Sequence, residues 1–161
     1  MADFNRIIAD LGPALLRAAA SYERDPALRE DLLQDMLLAI SRALPRLQDE
    51  DRLKAFVFRI AHNKGVDHIA RHAATPAAEE IPEQLARDGG SPEEELIDKQ
   101  RTQRLLAAVR KLDLPYRQVI TLVMEDLSYA EIAEALGITV SNVGVRVNRA
   151  KAHLRSLLDH G

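Results

Sequence analysis

The sequence predicts an all-α protein of two small helical domains joined by a flexible acidic linker, and three observations carry that expectation. Ala, Leu and Arg are abundant, aromatic residues make up only 4% of the chain and Trp is absent. Helix formers therefore dominate, and the β-branched and aromatic runs of a sheet are scarce. Apolar residues recur at three- and four-residue spacing along most of the 161 residues, the period of an amphipathic helix. Pro, Gly, Ser, Thr and Asp stand at the ends of those stripes, where helices start and stop. With 47% hydrophobic and 29% charged residues, the chain can bury a core, and its composition is not that of a disordered polymer.

The first element is a short helix around Asn5 to Ala20, with Gly12-Pro13 marking a kink. Asp25-Pro26 then reads as an N-cap followed by proline at the first helical position, where its missing N–H costs nothing. From there Leu28, Leu32, Leu33, Met36, Leu37, Ile40 and Leu44 form a helical stripe that Pro45 stops. Asp49 or Asp51 caps the next helix, whose stripe is Leu53, Phe56, Val57, Ile60 and Ile69. These three helices make a domain over 1–73.

The linker, 74–95, contains Pro76, Pro82 and Gly89-Gly90 and little apolar periodicity. It is acidic, with Glu79, Glu80, Glu83, Asp88, Glu93, Glu94 and Glu95 against the single Arg87. Ser91-Pro92-Glu93-Glu94 restarts helix with a capping box. The second domain, 96–161, opens with a helix lined by Leu105, Leu106, Val109 and Leu112. Pro115 begins another, carrying Val119, Ile120 and Val123. Ser128 with Glu131 is a further capping box, for a short helix holding Ile132, Ala133 and Leu136. Gly137 ends that helix, and Thr139 caps a last one with Val143, Val147, Ala150, Leu154 and Leu158 on its buried face.

Composition also excludes whole classes of function. Cysteine is absent, which removes disulfides, thiol catalysis and Cys-ligated zinc and suits a reducing compartment. Met1-Ala2-Asp3-Phe4 lacks the basic and apolar regions of a signal peptide, and no apolar run approaches the ~20 residues of a membrane span. The expectation is a cytoplasmic protein without membrane insertion. No phosphate-binding Gly loop, zinc spacing or acid–His constellation suggests an enzyme, a catalytic residue or a cofactor. His68 and His72, four apart, have the spacing of a shared metal site, but without Cys or a positioned third ligand no metal is expected. The net charge of −3 does not mark a nucleic-acid binder, yet the signs are segregated along the chain.

Ser128 to Ala150 has the pattern of a helix-turn-helix. Small Ala133 allows close approach, Gly137 suits the turn, and Ile132, Leu136, Ile138 and Val143 fill the space between the helices. The last helix carries Arg146, Arg149, Lys151 and Arg155, with no acid before Asp159. Ser141, Asn142, Val145, Arg146 and Arg149 on its first turns are placed to reach base edges and phosphates in a major groove. A solvated basic helix, its cations favoured by the helix dipole, is the alternative. The motif by itself indicates DNA binding without saying of what kind.

The whole chain narrows it. Leu114-Pro115-Tyr116-Arg117-Gln118-Val119-Ile120 and Leu127-Ser128-Tyr129-Ala130-Glu131-Ile132-Ala133-Glu134-Ala135-Leu136-Gly137-Ile138 resemble region 4 of the extracytoplasmic-function (ECF, group IV) sigma factors of RNA polymerase. Asp31-Leu32-Leu33-Gln34-Asp35-Met36 and Phe56-Val57-Phe58-Arg59-Ile60-Ala61-His62-Asn63 resemble their region 2. The resemblance implies a factor that binds core polymerase and directs promoter-specific initiation. Region 2 (1–73) would dock on the β′ clamp helices through Asp31, Gln34, Asp35 and Leu38. It would read and melt the −10 element with Arg59, His62, Asn63, Lys64, His68 and Arg71, capturing an extruded base to offset unstacking. Asn63 and the loop Arg46–Leu53 fall where the family builds that base pocket.

Region 4 (96–161) would sit on the β flap and read the −35 element with Tyr129, Ser141, Asn142, Val145, Arg146, Asn148 and Arg149. The linker would thread the polymerase's active-site and RNA-exit channel, although a solvated tether explains its composition equally. An anti-sigma factor is the further partner the family implies, with the free chain a monomer. Gly144, where many members carry a basic residue, Val145, where many carry Ser, and Leu122, where some carry a phosphate contact, depart from the pattern and leave the −35 sequence open. A conventional helix-turn-helix regulator or a non-DNA adaptor are the rival readings of the same chain.

Overall fold

The computed structural model describes residues 3–72 and 92–160. Seven α-helices carry the fold, and no strand occurs among the described residues. They are α1 (Phe4–Tyr22), α2 (Pro26–Ala43), α3 (Leu53–His72), α4 (Pro92–Lys111), α5 (Leu114–Met124), α6 (Tyr129–Leu136) and α7 (Val140–His160). Two 3-10 turns, Leu44–Arg46 and Glu50–Arg52, bridge α2 and α3.

The helix boundaries follow from local chemistry. Asp3 caps α1 by accepting from the Asn5 amide at 3.2 Å, and α1 continues unbroken through Pro13. Asp25 accepts from the Leu28 amide at 3.1 Å, and Pro26 opens α2. Pro45 has no N–H to continue the ladder, and α2 gives way to 3-10 geometry there. Asp49 caps the next turn through the Asp51 amide at 2.9 Å. α4 begins at Pro92, so residues 92–95 of the linker expected over 74–95 are helical; its remaining residues, with Ser91 and the polymerase-channel reading, lie outside the described residues. α5 ends at Met124, and the chain turns through Asp126, a non-glycine residue at φ 63°, with the Leu127 amide reaching back to the Leu122 carbonyl at 3.2 Å. Asp tolerates this left-handed position better than most residues, and no glycine announced the stop.

α1, α2 and α3 pack on one another, and α4, α5 and α6 pack around α7. The first group closes over Leu15, Leu32, Met36, Ile40, Val57 and Phe58, all at or below 1% exposure. Each such side chain stabilises by ~1.5–3 kcal/mol relative to leaving it in water. The second group closes over Val109, Val119, Leu122, Ile132, Val143 and Val147, all fully buried. Leu122 therefore belongs to the core and presents nothing to a phosphate.

The two groups also pack together. α3 lies on α6, and α1 on α4 and α5. Arg17 of α1 donates to both carboxylate oxygens of Glu125 at 2.7–3.0 Å. Arg110 of α4 donates to the Ala20 carbonyl at 2.7 Å, and Gln118 of α5 to the Tyr22 hydroxyl at 3.2 Å. Arg52 stands 3.6 Å from Glu134 of α6.

Candidate nucleic-acid interface

The helix-turn-helix is built as its local sequence requires. Ser128 Oγ accepts from the Glu131 amide at 3.1 Å, and the Glu131 carboxylate accepts from the Ser128 amide at 2.8 Å, a reciprocal capping box. Gly137 takes φ 69°, ψ 36°, and the Ile138 amide reaches the Ala133 carbonyl at 3.1 Å. That closes α6 with a Schellman turn, which favours glycine at this position. Thr139 Oγ1 accepts from the Asn142 amide at 3.1 Å and starts α7.

Val143, Val147 and Ala150 are fully buried, so the residues between them face outward. Ser141, Asn142, Val145, Asn148 and Arg149 are exposed, Arg146 is half-buried, and Tyr129 at the start of α6 is exposed. Val145 at 45% and Val140 at 51% put apolar carbon on this face, beside the cations Arg146, Arg149, Lys151 and Arg155. α7 thus presents one continuous surface of hydrogen-bonding, methyl and guanidinium groups, the set that reads base edges and phosphates.

On α2, Asp31, Gln34 and Leu38 are exposed and Asp35 is half-buried. Their i, i+3, i+4, i+7 spacing gathers them on one face, opposite Leu32, Met36 and Ile40. Leu38 is an apolar side chain left 50% exposed among acids. The Gln34 amide donates to Glu30 at 3.1 Å. Asp35 lies 3.5 Å from Arg71 of α3, so the set expected to face polymerase and the set expected to read the −10 element share an edge.

α3 divides the residues expected to read the −10 element. Arg59, Asn63 and Arg71 are exposed and Lys64 is half-buried. His62 and His68 are not on that surface, which corrects the expectation. They are 2% and 3% exposed because they point toward α1 and its C-terminus. His62 Nδ1 meets the Tyr22 hydroxyl at 2.5 Å, and burial lowers its pKa to about 4. His68 Nε2 meets Glu23 at 2.9 Å. Burial raises the Glu23 carboxyl, but hydrogen bonds from the Asp25 amide and His68 outweigh it and hold its pKa below the usual value. The His68 and His72 rings lie 4.3 Å apart, with His68 committed to Glu23.

An open cleft of about 270 Å³ forms where the 44–52 loop meets α3, lined by Arg46, Gln48, Arg52, Phe56, Arg59 and others. Asn63 stands a turn further along α3 and is not among its lining residues. Glu134 of α6 is, so an acid from the second domain borders the basic cleft of the first. The seam residues Arg17, Tyr22, Arg110, Gln118 and Glu125 were missed in the sequence. Each reads there as an ordinary charged or polar helix residue, and its partner lies about 40 to 108 positions away.

The Sigma-70 region 2 model matches residues 7–75, and the Sigma-70 region 4 model matches residues 102–154. The chain is 31% identical over 136 residues to the RNA polymerase sigma factor SigZ of Bacillus subtilis, covering 84% of this chain and 75% of that one. The chain belongs to the extracytoplasmic-function sigma factors.

CnrH of Cupriavidus metallidurans is 30% identical over 165 residues, which cover 97% of this sigma factor and 86% of CnrH. The structure of CnrH with the cytosolic domain of CnrY superposes with a TM-score of 0.69, covering 98% of this chain and 88% of CnrH. The sigma factor RpoE, solved with the anti-sigma factor NepR from Bartonella quintana, matches with a TM-score of 0.75 at 24% identity, which speaks to the fold. The protein is accordingly a sigma factor that directs promoter-specific initiation; the region 2 match spans α1–α3 from residue 7, and the region 4 match runs from within α4 to within α7. No described helix is long and apolar enough to cross a membrane.

Proposed function

We propose that this sigma factor binds core RNA polymerase through the α2 face of Asp31, Gln34, Asp35 and Leu38 on the β′ clamp helices, with region 4 on the β flap. Arg59, Asn63, Lys64 and Arg71, with the 44–52 cleft, then engage the −10 element. Tyr129, Ser141, Asn142, Val145, Arg146, Asn148 and Arg149 engage the −35 element. The observation that carries this is the outer face of α7, where exposed Ser141, Asn142, Val145, Asn148 and Arg149 surround Arg146 without an intervening acid. The protein itself catalyses nothing: melting is driven by capture of an unstacked base, which costs a few kcal/mol to extrude. It works as a monomer in the cytoplasm, without cofactor or metal, and an anti-sigma factor is its regulatory partner.

Because Glu134 borders the cleft and α6 lies on α3, the arrangement described is a closed one, and the −10 surface is fully available only when region 4 moves off. The test is run-off transcription from genomic fragments with core polymerase plus this protein. A discrete set of start sites sharing −35 and −10 sequences is the expected result. No initiation on any fragment overturns the reading, and tight operator binding by the free protein would favour a conventional regulator.

A further inference from the structure

At the centre of the outward face of α7 stands one apolar side chain that the fold leaves unpacked. Val145 lies opposite the buried stripe of Val143, Val147 and Ala150 and is 45% exposed. Its neighbours three and four residues away are Ser141, Asn142, Asn148 and Arg149, all polar and all exposed. A lone exposed valine is ordinary on a protein surface. This one is ringed by groups that hydrogen-bond or carry charge, on a helix that also bears Arg146, Lys151 and Arg155.

Gly144 precedes it inside α7, where glycine is ~0.5–1 kcal/mol less favourable than alanine. A β-carbon there would meet only Tyr129 Cε2, at 3.8 Å, among the described residues. Neither a left-handed backbone nor close packing therefore requires the glycine. A bare backbone on an exposed helix lets a second molecule approach closely. Here it opens the flank of Val145 beside Tyr129, which is itself 41% exposed.

Valine is suited to a fixed apolar contact. A helix restricts it almost to one χ1 rotamer, so its methyl groups stand in place before DNA arrives and little freedom is lost on binding. In the major groove thymine alone carries a methyl group, at C5, and the other base edges present donors and acceptors. Those groups would lose water against valine with no hydrogen bond in return. Cations attract phosphates whatever the sequence, so discrimination at this point of the face falls to Val145.

We propose that Val145 is a specificity residue for the −35 element: its methyls contact the C5 methyl of one thymine, and Gly144 gives that base pair room to reach α7, given that α7 enters the major groove as proposed for the sigma factor.

The test selects duplexes from a random pool with the full chain, in parallel with and without core polymerase, and then alters single groups of the selected site. Replacing each thymine of the upstream element in turn by uracil removes only the C5 methyl. At one position uracil should weaken binding about 4-fold, the loss expected for one buried methyl-sized group. Val145→Ser should bind thymine and uracil equally there, whereas Val145→Thr, which keeps one methyl, should retain part of the preference. Both changes fall at an exposed position, and unchanged helical circular dichroism checks that both variants fold. Uracil without effect at every position overturns the proposal, and the wild-type scan alone decides this. A thymine preference undiminished in Val145→Ser overturns it as well, and assigns the methyl contact to another side chain. Enrichment only in the arm without polymerase, with uracil sensitivity that Val145→Ser abolishes, supports the contact and refutes the sigma-factor reading. Enrichment only with polymerase but no uracil effect does the reverse, and no enriched sequence in either arm overturns both.

Discussion

Arg17 on α1 and Glu125 at the end of α5, 108 residues apart, are joined by a forked pair in which Arg17 Nε and Nη2 both donate to the carboxylate, the shortest contact being 2.7 Å. The pair ties region 2 to region 4. The Arg17 side chain is 53% exposed and Glu125 13%, so solvent screening limits the pair to about 1 kcal/mol or less.

If region 4 moves off region 2 as proposed, a pair of that magnitude suits a latch. Arg17→Glu should lengthen the mean distance between labels on Ser41→Cys and Ser156→Cys, two exposed positions in a chain without cysteine. The double change Arg17→Glu with Glu125→Arg should restore it. Single-molecule energy transfer measures both, and an unchanged distance in Arg17→Glu would show that the pair holds nothing closed.

Stability should fall on mild acidification because of His62. Its folded pKa of about 4 lies below the unfolded value of about 6.5, so the unfolded chain binds the proton more readily. The native state keeps its full advantage above pH ~6.5 and loses it progressively down to pH ~4. The loss approaches about 3 kcal/mol. Glu23, whose pKa is also lowered, acts in the same direction but only below the ordinary Glu value. Urea titrations of wild type and His62→Gln between pH 7 and 5 should show the slope in the first and a flatter profile in the second.

Two glycines should respond oppositely to alanine. A β-carbon on Gly65 of α3 would overlap the Tyr22 ring of α1, so Gly65→Ala should cost ~1–3 kcal/mol and lower Tm. A β-carbon on Gly144 meets only Tyr129 Cε2 at 3.8 Å. Gly144→Ala should therefore gain up to ~1 kcal/mol of helix propensity and raise Tm by ~2–4 °C. Scanning calorimetry of the two variants decides both signs.

Arg149→Ala should weaken promoter binding by the holoenzyme about equally across −35 sequences and reduce the salt dependence by about one phosphate contact. Fold stability should change by less than ~0.5 kcal/mol, since the side chain is exposed. Filter binding across a salt series reads the slope. An unaltered slope would remove Arg149 from the interface.

The local features were legible in the sequence because they are set by residues a few positions apart. The caps at Asp25, Ser128 and Thr139, the left-handed Gly137 and the buried stripe of α7 all follow from spacing along one helix. The outward face of α7 follows in the same way, the all-α class from composition and periodicity along the whole chain, and the order of the two regions from the resemblance of their motifs to the sigma family. The histidines show where that ends. His62 and His68 sit beside Asn63 and Lys64 in sequence and read alike as polar helix positions. Only the docking of α1 on α3 sends His62 to Tyr22 and His68 to Glu23 while Asn63 stays in solvent.

Helical periodicity specifies that a face is buried, not which partner buries it. The closed seam, with Arg17 on Glu125 and Arg52 near Glu134, joins residues separated by a linker and by most of the chain. The sequence determined two helical regions and the chemistry of their outer faces. The tertiary structure alone decided which of those faces meet, because contacts between distant charged and polar residues leave no periodic trace along the chain.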